Sequence, residues 1–91
     1  MHKESTIKLI DGKFNATDAA EILFSVLDAK IRFHNIQIMS VSERFNGSTL
    51  DHEKRLGELE KSKKLVAALI VQAKNDDCEI VINSTVSLMI D

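Results

Sequence analysis

Three histidines, His2, His34 and His52, and one cysteine, Cys78, are the side chains of this 91-residue sequence best suited to metal binding, proton transfer or nucleophilic attack. His34 lies between Ile31 and Ile38 on an apolar helical face, with Lys30 one turn before it. A cation at that spacing lowers the imidazole pKa and favours a neutral ring, the form that acts as a base or a ligand. A metal site would need His52, Asp51 or Glu53 beside His34. In a helical hairpin turning about Asn46-Gly47-Ser48, however, His52 is expected opposite the residues just before the turn, more than one helical turn from His34. His52-Glu53 is not an H-E-x-x-H motif, because Leu56 stands at the second histidine position. His2 falls in a terminal segment. The expectation is therefore no metal, no cofactor, and a structural His34 hydrogen-bonded across the helices.

Cys78 follows Asp76-Asp77 and has no histidine near it in sequence, so it lacks the electropositive setting of a nucleophilic thiolate. It reads as a small buried residue at a helix-to-strand joint. Glu43 and Arg44 fall at the end of a helix, where Arg44 complements the dipole. Together with His52 and Arg55 they form a candidate polar patch for a protein partner at the hairpin tip. The sequence holds no Gly-rich phosphate loop, G-x-S-x-G elbow or dinucleotide fingerprint. No catalytic residue is assigned, and the reading is non-enzymatic; a site around His34 is the least favoured alternative.

The elements that position these residues follow from periodicity. The segment 5–10, "STIKLI", mixes β-branched and polar residues as a strand does, and Asp11-Gly12 reads as a turn. Asn15, Thr17 and Asp18 are N-cap candidates for a helix over 16–45. Leu23, Phe24, Leu27, Ile31, His34 and Ile38 form one face of it; Ile22, Val26, Ala29, Phe33 and Ile36 form a second, roughly opposite face. A second helix is expected over 49–75, capped by Ser48 or Thr49, with Leu56, Leu59, Val66, Ile70 and Ala73 as its stripe. It is charged as far as Lys64, with Asp51/Arg55, Lys54/Glu58 and Glu60/Lys64 at supporting spacing; "LVAALIVQA" beyond is apolar nearly all round. Gly57 sits in its interior, beside Leu56. The segment 79–91 alternates with one parity: Ile80, Ile82, Ser84, Val86, Leu88 and Ile90 against Val81, Asn83, Thr85, Ser87 and Met89. The fold class is α+β in the order β-α-α-β, one domain over 1–91, with a long antiparallel helical hairpin on a small antiparallel sheet.

Composition narrows the function classes. Hydrophobic residues make up 44%, with four Phe and no Trp or Tyr, which suits aliphatic packing better than an aromatic ligand pocket or base stacking. A net charge of -2, with both signs interspersed, announces no face for nucleic acid or anionic membrane. A nucleic-acid accessory role for Lys54, Arg55, Lys61, Lys63 and Lys64 is the alternative, opposed by interleaved Glu53, Glu58 and Glu60. With no signal-type start, no membrane span and a lone cysteine, a cytoplasmic protein is expected.

A chain of this length buries only about 60–65% of its extended surface, and a second copy would add to that. With a short first strand, much of the long last strand is expected to be unpaired within one chain. The expected partner is therefore self: a homodimer joined through its sheet, with Val81, Asn83, Thr85, Ser87 and Met89 at the interface and a further protein partner on the remaining surface.

Overall fold

The computed structural model describes the backbone over residues 3–44 and 49–90, and the side chains of that span except 41–44. The order is β1 (Lys3–Phe14), α1 (Ala16–Arg44), α2 (Leu50–Asp76) and β2 (Ile80–Ile90). The strands form a two-stranded antiparallel sheet and the helices pack on each other, an α+β fold with a helical hairpin.

The first strand is twice its expected length. Asp11 pairs with Asn83 and Gly12 with Ile82, so Asp11-Gly12 is not a turn but part of the ladder. Gly12 has no positive φ, and a Cβ placed on it would lie 3.5 Å from the Phe14 ring. The aromatic covers the bare backbone and offsets the weak strand preference of glycine. The ladder runs from Lys3↔Ile90 to Phe14↔Ile80, with one irregularity between Lys8 and Ile10 where Leu9 has no partner. That bulge switches the parity of β1, so that Ile7, Ile10 and Phe14 share a face with Ile80, Ile82 and Val86. Because β1 matches β2 along its whole length, the unpaired stretch expected of the longer strand does not exist.

Both joints between sheet and hairpin are short. Asn15 alone links β1 to α1, and its Oδ1 accepts the Asp18 N–H at 2.8 Å, the bond of an N-cap. At the other joint Asp77 takes the left-handed conformation, φ 52°, with Asp77 N–H donating to Lys74 O and Cys78 N–H to Ala73 O. These bonds close the helix as a glycine normally would, and Asp tolerates that geometry better than most residues. At the start of α2 the Thr49 hydroxyl meets the Glu53 carboxylate at 3.1 Å, and no side chain caps the backbone.

These joints hold a core of Ala16, Ala19, Ile70, Ala73 and Ile82, with Ile10, Phe14, Leu23 and Val66 packed around it. Ala19 is wholly buried. Small side chains at 16, 19 and 73 let both helix ends approach the strands closely. Beyond the joint the two halves diverge. The hairpin is about 43 Å long by its helical rise and the ribbon about 36 Å. The molecule measures 50 × 34 × 15 Å, and its radius of gyration is 16.6 Å, against about 12 Å for a compact chain of this length.

The segment 65–73, apolar nearly all round, calls for cover on two sides. Its Ile70–Ala73 face is buried, but Leu65, Leu69 and Val71 are exposed. Ile82 is the last residue of β2 in the core and the strands meet the helices only sparsely, so the second cover is not supplied by the described residues.

Two substitutions test this layout. Ile70→Ala truncates one of the two buried isoleucines at the joint and should cost about 2–4 kcal/mol by denaturant unfolding. At Gly57, exposed and with nothing within 4 Å of an added Cβ, Gly57→Ala should add about 0.5–1 kcal/mol through helix propensity.

Candidate functional site

His34 and His52 are in contact. Their Nδ1 atoms are 3.0 Å apart and the ring centroids 5.2 Å, with the planes tilted by 52°. The expectation that His52 lies more than a turn away from His34 is thus overturned. It assumed a hairpin folded symmetrically about its tip, but Asp28–Lys63 at 2.7 Å and His34–His52 both show α1 extending past the start of α2. That offset brings His52 back along α1 to His34.

The contact requires one Nδ1 to carry the proton and the other to offer its lone pair, so the two rings cannot both be charged and keep the bond. Phe33 presents an edge to the His34 ring at 5.3 Å. The His34 pKa is lowered from the ordinary 6.5, first by desolvation between the helices, then by His52, Lys30 and Arg55. The effect anticipated from Lys30 is present, behind two larger causes. His34 is thus a polar residue bonded across the hairpin.

Beside the pair an open polar groove of about 280 Å³ is lined by Lys30, His34, Arg55, Glu58, Leu59 and Ser62. Arg55 stands 3.6 Å from Glu58, so its charge is partly answered there. Among the described residues no group of three or more His, Cys, Asp or Glu side chains converges on one point. Two imidazoles by themselves leave most positions of a metal ion unfilled.

The remaining candidates are dispersed. Cys78 is at the helix-to-strand joint, but it is exposed rather than buried, with Sγ 3.4 Å from the Asp76 carbonyl. It follows the left-handed Asp77, outside the packed joint. Of the proposed tip patch, His52 is turned into the His34 contact and Arg55 toward Glu58; the side chains of Glu43 and Arg44, like His2, are outside the described residues. Val81, Asn83, Thr85, Ser87 and Met89 are all exposed on one face of β2, as their alternation implied.

Sequence reasoning missed the Lys63–Asp28 bridge, which ties the helices near their middles and raises the Lys63 pKa through the hydrogen bond to Asp28. Lys63 Nζ also lies 6.0 Å from the Phe24 ring centroid. Only the relative register of the two helices could have revealed it, since i,i+4 spacing pairs Lys63 with nothing acidic.

No helix among the described residues is long and apolar enough to cross a membrane. No protein-family model, curated protein or solved structure matches the chain.

Folding lowers the His34 pKa, so the unfolded chain takes up the proton first. This contribution to stability is complete above the ordinary pKa of 6.5 and is lost as pH falls below it toward the lowered folded value. Thermal unfolding from pH 8 to pH 5 should therefore show a falling Tm below pH 6.5, and His34→Gln, which retains a hydrogen-bonding amide, should flatten that fall.

Proposed function

We propose that this protein is a small non-enzymatic interaction or assembly module that works as a homodimer. The observation that carries the reading is an excess of surface. A compact monomer of 10.2 kDa exposes about 5,300 Å², whereas this chain exposes 7265 Å². The excess of about 1,950 Å² falls within the roughly 1,000–2,500 Å² that each subunit of an obligate dimer buries.

The composition of that surface supports the same reading. Ile7, Leu9, Phe33, Ile36, Leu65 and Leu88 are among the exposed large hydrophobics, against a core built from three alanines and two isoleucines. Extended apolar exposure of this kind marks an interaction surface. A second copy is the partner of choice because each chain carries a large deficit of cover, and a two-fold axis lets one kind of contact supply both. The groove at His34 is open, and the polar side chains there are engaged within the hairpin, His34 with His52 and Glu58 with Arg55.

Light scattering or sedimentation at micromolar concentration should give about twice the mass of 10.2 kDa, and Tm should rise with protein concentration, as dissociation-linked unfolding requires. A folded monomer with a concentration-independent Tm would overturn the proposal.

A further inference from the structure

The apolar face of the sheet is divided along its length. Its half nearest the joint, with Ile10, Phe14, Ile80 and Ile82, belongs to the core or packs against it. Its far half, with Ile7, Leu88 and Ile90, is bare, and Leu88 and Ile90 are 52% and 67% exposed. All three fall on the same face as Ile82, because the bulge at Leu9 restores the parity of β1. A shallow hollow of about 390 Å³ opens there, lined by Lys3, Ser5, Leu88, Met89 and Ile90. The opposite face of the sheet carries Glu4, Thr6, Lys8, Asp11 and Lys13 from β1 and Asn83, Thr85 and Ser87 from β2, with Val81 and Met89 its large apolar side chains.

A second bare surface lies on α1. Val26, Phe33 and Ile36 follow one another at helical spacing and are exposed, with Phe33 at 54% and Ile36 at 57%. The side chains that meet α2 are on another side of the helix, among them Asp28 and His34. The stripe from Val26 to Ile36 spans about 15 Å along the helix. The bare half of the sheet, from Ile7/Val86 to Lys3/Ile90, spans about 13 Å.

We infer that in the homodimer the Val26–Phe33–Ile36 stripe of each copy covers the bare apolar half of the other copy's sheet. This rests on the homodimer reading and deepens it by naming the surface. A helix laid on a sheet is the packing the fold already uses at its joint, and a two-fold axis makes the contact reciprocal. Each copy then buries both of its bare surfaces, which meets part of the excess of about 1,950 Å² per chain. The interface so placed is on the face of β2 opposite Val81, Asn83, Thr85, Ser87 and Met89.

The test combines charge scanning with cross-linking on the full chain. Phe33→Glu and Leu88→Glu should each weaken dimerisation by about 100-fold or more, because each puts a charge in the centre of a buried contact. Val81→Glu and Thr85→Glu, on the outer face and away from the hollow, should leave it intact. To separate loss of the contact from loss of the fold, the second measurement uses folded protein: in a Cys78→Ser background, Phe33→Cys with Leu88→Cys should oxidise to a disulfide-linked dimer, and Val81→Cys with Phe33→Cys should not. A wild-type dimer that tolerates Phe33→Glu and Leu88→Glu but is lost with Val81→Glu or Thr85→Glu would overturn the placement and leave the homodimer standing. A wild-type monomer would remove both.

Discussion

The structure depends on the closeness of two joints. One residue, Asn15, connects the first strand to the first helix, and three connect the second helix to the second strand. Both meet over Ala16, Ala19, Ile70, Ala73 and Ile82. The alanines matter because a larger side chain at a wholly buried position such as Ala19 would push the helices off the strands. Close approach at this point fixes how strand and helix leave it, and from there the sheet and the hairpin run outward without covering each other.

The consequence is a chain with regular secondary structure and little interior. Backbone hydrogen bonds run the length of two long helices and of the β1–β2 ladder, although in a two-stranded sheet each strand also keeps an open edge. Apolar burial is not complete, and burial is the term that has to offset conformational entropy. A small single-chain core of this kind supplies limited stability. The exposed leucines, isoleucines and Phe33 are apolar surface that the single chain leaves uncovered.

Away from the joint the helices are held together by side chains that look functional in isolation. His34 and His52 share one proton across the hairpin, and Lys63 bridges to Asp28. Both contacts are partly open to water, and their value lies more in setting the register of α1 on α2 than in raw stability. Histidine is apt for such a contact because either ring nitrogen can give or take the proton, and the same property makes the contact sensitive to pH.

Much of the architecture was legible in the sequence. The 3.6-residue period of 16–45 and 49–75, a helix start between Asn15 and Asp18 and the strict alternation after Glu79 depend on local sterics and on which side chains avoid water, so they can be read without knowing any partner. The length of β1 was hidden, because Asp11-Gly12 carries a turn signal that yields to pairing with Ile82 and to cover by the Phe14 ring. The His34–His52 contact was hidden as well: it depends on the axial offset between two helices, which no intra-helix spacing records. By itself the sequence determined the elements, their order and the apolar faces that each would present, since these are set by neighbours a few residues apart. Only the tertiary structure decided which of those faces meet and which stay bare, because that follows from the direction in which two short joints send the strands away from the helices.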